Sequence, residues 1–279
     1  MTRWTSGATG PWSIGPTRGT ISESATKPRD GVTGYFATIL VVVGVDRKCL
    51  CPVVRYQQEV VTVQFAEFFE TATGFAPYPF QIRVAEDGFP DVISAPTGAG
   101  KTEAVVVPWL WRSFNGSTEA QASTPRRLII ALPMRTLVEQ SERRVRAMLE
   151  KLSLTGSVGV QMLMGGRLSH EQTSAWRTSP EERSIVIGTV DGVVSRALNR
   201  GYGSTRGAYP IDFALVTNGA HIVVDEVQLC VQATATLRQV SAFQRDWLTA
   251  QPVGLTCMSA TVLPEALDVV DNPYDPRTA

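Results

Sequence analysis

The segment Asp91-Val92-Ile93-Ser94-Ala95-Pro96-Thr97-Gly98-Ala99-Gly100-Lys101-Thr102-Glu103 limits what this chain can fold into more than any other. Its apolar lead reads as a strand, and the apolar run beyond Lys101 reads as a helix. The loop between them carries glycines that let backbone N–H groups converge on an anion, and the helix N-terminus adds partial positive charge. In such a cradle Pro96, Thr97, Gly98, Ala99 and Gly100 wrap a phosphate. Lys101 reaches the outer phosphates, and the Thr102 hydroxyl can ligate Mg²⁺. The strict P-loop pattern asks for Gly at position 95, where Ala95 stands. The bland alternative is a chance glycine-rich turn before a helix; the preceding strand and the Gly-Lys-Thr run weigh against it.

Around this segment strands alternate with helices, the pattern of a parallel sheet wrapped by helices, so the fold class is α/β. Helical spacing from Val60 to Phe69 ends at Gly74, and Pro77-Tyr78-Pro79-Phe80-Gln81 forms a rigid lead into a short segment, Ile82–Ala85. The helix from Lys101 runs to Phe114, with Pro108 expected to unsettle it. A polar link, Asn115–Thr124, precedes strand Arg127–Leu132. Thr136 is placed to cap a long helix reaching about Leu152. Strand Ser157–Met164 leads to Gly165-Gly166 and a polar helix to about Trp176. Strand Ser184–Ile187 is followed by a helix over Asp191–Asn199, and Phe213–Val216 is a brief apolar run. Strand Ala220–Val224, a helix over Ala233–Leu248 and strand Val253–Met258 complete the pattern. The polar residues of interest fall just after strands, where ligands bind in open α/β sheets.

The chain has 279 residues with 26 Lys+Arg and 26 Asp+Glu, so no excess of positive charge argues for nucleic-acid binding. A local basic groove stays open. Cys49, Cys51, Cys230 and Cys257 form no Cys-x-x-Cys clamp and no disulfide framework, which fits reduced thiols in a cytoplasmic protein. Residues 1–30 are rich in Ser, Thr, Gly and Pro and read as disordered, without a signal-peptide core. The apolar run Tyr35–Val45 is shorter than the ~20 residues a membrane span needs. Residues 1–57 are therefore an unassigned extension, either an added element or an upstream segment, and residues 58–279 carry the functional domain.

The second key site is Ile222-Val223-Val224-Asp225-Glu226. An apolar strand ending in two carboxylates is what a nucleoside triphosphatase needs beside its phosphate loop. Asp225 can hold Mg²⁺, and Glu226 can orient or deprotonate the attacking water. A helix-capping Asp-Glu pair is the alternative for these two residues taken alone. His221, at the start of this strand, reads as a packed histidine rather than a ligand.

Together these motifs, in this order, resemble the first RecA-like domain of a superfamily 2, DEAD/DEAH-box-like helicase. Phe80-Gln81 resembles the Q motif, and Ala95–Thr102 resembles motif I. Leu132–Leu137 resembles motif Ia, and Gly165-Gly166 resembles the glycine pair near the nucleic-acid backbone. Gly188–Asp191 resembles motif Ib, Val224–Gln228 motif II, and Met258–Thr261 motif III. The resemblance covers roughly residues 60–279 and implies a P-loop NTPase fold with ATP and Mg²⁺ as cofactors. It implies that Gln81 reads adenine, that Lys101, Asp225, Glu226 and Gln228 are catalytic, and that Ser259, Ala260 and Thr261 couple hydrolysis to strand movement. Single-stranded nucleic acid, DNA favoured, would lie along Pro133, Arg135, Thr136, Gly165, Gly166, Arg167, Thr189 and Asp191. Arg135 and Arg167 are also readable as ordinary solvated charges. Trp109, Trp111 and Phe114 are expected in the core or at a domain contact.

Within the superfamily, PYPFQ, SAPTGAGKTEA, LPMRTLVEQ, LMGG, GTVD, VVDEVQL and MSAT are most similar to the CRISPR-associated helicase of type I systems. That family joins a helicase to an HD nuclease and acts with an RNA-guided surveillance complex. Three departures stand out. Gln228 occupies a position where the family usually has His, which implies altered coupling rather than lost Mg²⁺ binding. No His-Asp pair of an HD nuclease is present. The chain stops soon after motif III, before a second RecA-like domain that would bring an arginine finger, so the expectation is a truncated or split helicase, nearly inert as a motor alone. A generic superfamily 2 helicase and a non-catalytic RecA module that docks ATP or a partner are the competing readings.

Overall fold

Burial alternates with a period of two along the central strands, and that alternation builds the layers. In strand β2 (Arg127–Leu132), Leu128, Ile130 and Leu132 enter one core while Ile129 and Ala131 enter another. In β4 (Ser184–Thr189), Ile185 and Ile187 go one way and Val186 the other; in β5 (Ala220–Asp225), Val223 opposes Ile222 and Val224. A strand buried on both faces must lie in a sheet covered on both sides. The computed structural model describes residues 64–163, 176–201, 204–246, 249 and 251–261. Its sheet also contains β1 (Val92–Ser94), β3 (Gly159–Leu163) and β6 (Gly254–Ser259), in the order β1-β6-β5-β2-β4-β3, with every neighbouring pair parallel.

One face is covered by α1 (Phe65–Thr73), α2 (Pro79–Asp87), α3 (Lys101–Phe114) and α5 (Arg135–Lys151). The other carries α6 (Val190–Ala197), α7 (Tyr209–Thr217) and α8 (Val231–Asp246). A short helix, α4 (Thr118–Ser123), links α3 to β2. Because every strand runs the same way, the loops after β1, β2, β4, β5 and β6 all leave one edge of the sheet. Register sets them level: Ser94 pairs with Ser259, Met258 with Asp225, Ala131 with Val224, and Leu132 with Thr189. The doubly wound α/β sheet is the expected fold class.

Several local expectations shift. Pro79 enters the first turn of α2, where its fixed φ suits a helix start, so the expected rigid lead becomes helix. The polar link holds α4, whose start is capped by Ser117 Oγ accepting the Ala120 N–H. Thr136 does not cap α5; Met134 occupies the cap position in extended conformation, with no side-chain hydrogen bond. Helix α3 runs through Pro108 without a break, held by buried Val105, Val106, Val107, Trp109 and Leu110. The brief apolar run before β5 belongs to the nine-residue α7. The strand at 157–164 is observed over Gly159–Leu163. The expectations for residues 1–57, Val60, Val61, Gly165, Gly166, Arg167 and the polar helix up to residue 175 lie outside the described residues.

Candidate functional site

The phosphate loop leaves β1 with Ala95 N–H donating to the Ser259 carbonyl at 3.1 Å, which ties its first residue to the end of β6. The Ala99 N–H closes a turn onto the Pro96 carbonyl at 3.2 Å. Gly98 and Gly100 then take φ values of 84° and 73°, in the left-handed region where a side chain is strained. Gly100 has a second reason: an added Cβ would stand 2.9 Å from Gln81 Nε2. Helix α3 starts at Lys101 with no side-chain cap, so the N–H groups of its first turn are left for a ligand. Thr97, Gly98, Gly100, Lys101 and Thr102 line a cleft of about 740 Å³ together with Asp225 and Glu226.

Gln81 is 1% exposed and braces this loop. Its Nε2 donates to the Gly100 carbonyl at 3.1 Å, and its Oε1 accepts the Tyr78 N–H at 2.8 Å. An amide side chain offers two donors and two lone pairs. Among the described residues, one N–H and one lone pair of Gln81 therefore remain for a ligand in the cleft, which Gln81 also lines.

Across the cleft, Lys101 Nζ donates to Glu226 Oε1 at 3.0 Å and stands 4.0 Å from Asp225 Oδ1. Glu226 sits at φ 52°, ψ 51°, an uncommon conformation for a residue with a side chain. The turn is held because Asp225 Oδ1 accepts the Glu226 N–H at 2.9 Å. Gln228 Nε2 donates to Glu226 Oε2 at 2.7 Å, and Ser259 Oγ lies 2.6 Å from Gln228 Oε1. The same Oγ is 2.6 Å from the Thr261 carbonyl and accepts the Thr261 N–H at 3.0 Å, with Ala260 between the two. The two adjacent carboxyls are shifted in opposite senses. Burial holds Asp225 above the ordinary carboxylate range, against the attraction of Lys101 and the Glu226 N–H. Burial also works to raise Glu226, but hydrogen bonds from Gln228 and Lys101 outweigh it, and Glu226 is held below that range.

Further along the same edge, Met134, Arg135 and Thr136 are exposed and Pro133 is partly exposed. Helix α5 has no side-chain cap, so its first N–H groups are open, like those of α3. Neighbouring α6 is capped: Thr189 Oγ1 accepts the Gly192 N–H at 3.3 Å, which uses an acceptor but gives the hydroxyl proton no acceptor among the described residues. Asp191 is exposed in its first turn. Pro133–Thr136 and Thr189–Asp191 thus leave adjacent strands side by side.

His221 is packed: buried, 4.3 Å from the Phe89 ring centre, and 2.9 Å from Thr256 Oγ1 through Nε2. Burial depresses its pKa to about 3, so it stays neutral. Cys230 and Cys257 are free and buried, with burial pushing Cys257 up to about 11. Trp109 is a core residue whose Nε1 donates to the Pro125 carbonyl. Sequence reasoning missed Glu103, which lines the cleft and pairs with Arg144 of α5. The loop segment Asp91–Glu103 ends on this residue, and the available signal was its place in the first turn of the helix, one residue past Thr102. It also missed Asp212, fully buried between Arg177 and Arg196, where nothing in the local sequence signals the cluster.

This arrangement suits a phosphate-bearing ligand, and comparison with known families gives the class of the chain. The model of the DEAD/DEAH box helicase family matches residues 79–269. The chain belongs to the DEAD/DEAH box helicase family. Among solved structures, the DUF1998 helicase MrfA bound to DNA and AMPPNP is similar with a TM-score of 0.53 and 17% identity, over 76% of this chain and 29% of that one. The DEAD-box helicase Mss116 bound to ssRNA and UDP-BeF gives 0.51 and 20%, over 75% and 40%. The Mycobacterium smegmatis helicase Lhr bound to ssDNA and AMP-PNP gives 0.50 and 22%, over 74% and 26%. These likenesses concern the RecA-like fold, and the chain spans well under half the length of each. No curated protein matches the chain. No helix among the described residues is long and apolar enough to cross a membrane.

Proposed function

We propose that residues 58–279 form the ATP-binding lobe of an ATP-dependent nucleic-acid helicase or translocase, with residues 1–57 an extension outside it. One observation carries the reading. A continuous line of polar contacts runs from Lys101 through Glu226 and Gln228 to Ser259 and Thr261, joining the phosphate loop to the segment leaving β6. Mg²⁺ fits the donors at its start. The Thr102 hydroxyl has no hydrogen-bond partner among the described residues, and Asp225 lines the cleft. An ion there would be held by one carboxylate, one hydroxyl and the substrate's phosphates. When bound, the ion would neutralise charge on the transferring phosphoryl group.

The protein's own steps follow from the contacts. Lys101 leaves Glu226 for the outer phosphates, and Glu226, ionised at neutral pH, is freed to orient the attacking water. Gln228 loses its anchor on Glu226. Ser259 Oγ has one proton and two acceptors, Gln228 Oε1 and the Thr261 carbonyl, so displacement of Gln228 passes that bond to Thr261 and the backbone beyond β6. Nucleic-acid backbone would lie across the open N-terminus of α5, Pro133, Arg135, Thr136, Thr189 and Asp191; Gly165, Gly166 and Arg167 lie outside the described residues, and their proposed part in binding rests on the sequence motif alone. Those contacts hold phosphate and sugar without reading sequence. Turnover stays low until a second RecA-like lobe, from this or another chain, brings further positive charge onto the cleft.

Within this class, the motif strings support a role in CRISPR type I antiviral defence, on single-stranded DNA and in company with an RNA-guided surveillance complex. The second reading is a generic superfamily 2 DNA or RNA helicase, favoured by Gln228 standing where the CRISPR-associated family usually has His. The test is ATP binding and turnover by the purified chain with Mg²⁺, with and without single-stranded DNA or RNA. We expect Mg²⁺-dependent ATP binding, affinity for single-stranded DNA and little turnover. Robust turnover by the chain alone sinks the requirement for a second lobe, and absence of ATP binding sinks the whole reading. A preference for RNA favours the generic helicase.

A further inference from the structure

Glu103 is a charged side chain in the cleft that the phosphate chemistry does not use. It stands one residue beyond Thr102 in the first turn of α3, and its side chain is only 15% exposed. Its Oε1 accepts from Arg144 Nη2 on α5. Its Oε2 is buried and meets no hydrogen-bond donor among the described residues. A buried carboxylate oxygen without a donor is costly, and the positive end of α3 offsets only part of that cost. The position of this oxygen points to a ligand. It lies 3.5 Å from the point a Cβ would occupy on Gly100, and Gln81 Nε2 lies 2.9 Å from the same point. An unsatisfied acceptor and an amide donor therefore sit together over Gly100, in the cleft that Lys101, Thr102 and Asp225 also line.

Lys101, Thr102 and Asp225 serve the triphosphate; Glu103 is left for the nucleoside. We propose that Glu103 Oε2 accepts a hydrogen bond from the nucleoside part of the bound nucleotide, a base amine or a ribose hydroxyl, and so selects which nucleotide the cleft takes. The proposal rests on the ATP-binding reading above. A carboxylate can only accept. Adenine offers an amine where hypoxanthine and guanine offer a carbonyl oxygen, which Glu103 would repel, and ribose offers hydroxyls that deoxyribose lacks. Arg144 holds the carboxylate in place through its other oxygen. Because the Arg144 side chain is 48% exposed, losing its partner leaves no buried charge behind.

The experiment is calorimetric or competition binding of ATP, ITP, 2′-deoxy-ATP and 3′-deoxy-ATP, all with Mg²⁺, to the wild-type chain and to Glu103→Ala, Glu103→Gln and Lys101→Ala. Wild type should bind at least one analogue about tenfold or more weakly than ATP, the size expected for one bond to a charged group. In Glu103→Ala that gap should shrink to about twofold while ATP still binds, and Glu103→Gln, which keeps an acceptor oxygen, should retain part of it. Loss of the gap with ITP identifies the base, and loss with a deoxy analogue identifies the sugar. Unchanged ratios in Glu103→Ala, or a wild type that does not discriminate, overturn the role of Glu103 and leave ATP binding standing. A wild type that binds no nucleotide, or a Lys101→Ala that binds ATP as well as wild type does, removes the ATP reading and this one with it.

Discussion

The two ends of the functional edge are built on opposite plans. At the β1–β6–β5 end, Lys101, Glu226, Gln228 and Ser259 are bonded to one another, and Glu226 is held in a left-handed conformation. At the β2–β4 end, Met134, Arg135 and Thr136 are exposed, and Thr189 spends its side-chain acceptor on its own helix. The first end is closed on itself, so a ligand must replace existing bonds to bind there. The second is open, so a ligand adds bonds without breaking any. Substitutions at the first end should therefore change stability and chemistry together, whereas substitutions at the second should change affinity alone.

Lys101→Ala is the strongest test of the closed end. It removes the cation that faces both Glu226 and Asp225 and leaves two carboxylates 22% and 13% exposed without it. ATP affinity should fall by about tenfold or more, as for loss of a hydrogen bond from a charged donor to the phosphates. The melting temperature should fall as well, because breaking a largely buried pair strands its partner. ATP titrations and thermal melts on the same preparation check both, and a variant that loses ATP binding at unchanged stability would show that the end is not interlocked.

Asp225→Asn separates the two carboxyls. Burial raises the Asp225 pKa in the folded protein, so its stabilising contribution is full below the unfolded value of ~3.9 and is lost as pH rises through the folded value. Glu226, held low, has the reverse sign: its contribution is present above its unfolded pKa and is lost as pH falls through the folded one. The amide keeps an oxygen for the Glu226 N–H while removing the buried charge. Without nucleotide, Asp225→Asn should thus be more stable than wild type at neutral pH, by about 0.5–2 kcal/mol, the usual gain from relieving a functional site. That gain should shrink on acidification, and the added stability that Mg²⁺-ATP confers on wild type should disappear. Melts across pH check the sign; a destabilised variant at neutral pH would overturn it.

What was legible in the sequence depended on recognisable chemistry more than on closeness along the chain. The Lys101–Glu226 contact spans 125 residues, yet both partners were singled out because each motif announces its role. The Gln81 brace on Gly100 spans only 19 residues, and the Glu103–Arg144 pair spans 41; neither was foreseen, because Glu and Arg on helices are usually solvated. Strand β2 was read to the residue, since all six of its positions are buried and both flanks are polar or Pro. Helix α7 was missed because its apolar residues follow no single stripe, and α4 because its start rests on a Ser117 cap inside a polar run. The left-handed turn at Glu226 has no local signature at all, since it is imposed by the Asp225 carboxylate and the bonds on either side.

The smallest effect belongs to the open end. Arg135 is exposed at the start of α5, and among the described residues no hydrogen bond or ion pair engages its side chain. Nothing in the fold depends on it, so Arg135→Ala should leave the melting temperature and ATP binding unchanged. If its guanidinium meets a phosphate, affinity for single-stranded DNA should fall several-fold and equally for all sequences. The slope of log affinity against log salt should also lose about one unit. Titrations of labelled oligonucleotides at several salt concentrations measure both. An unchanged salt slope would make Arg135 an ordinary solvated charge and leave this face to the backbone N–H groups of α5. A drop in stability would instead show that the second end is as interlocked as the first, and the contrast between them would be lost.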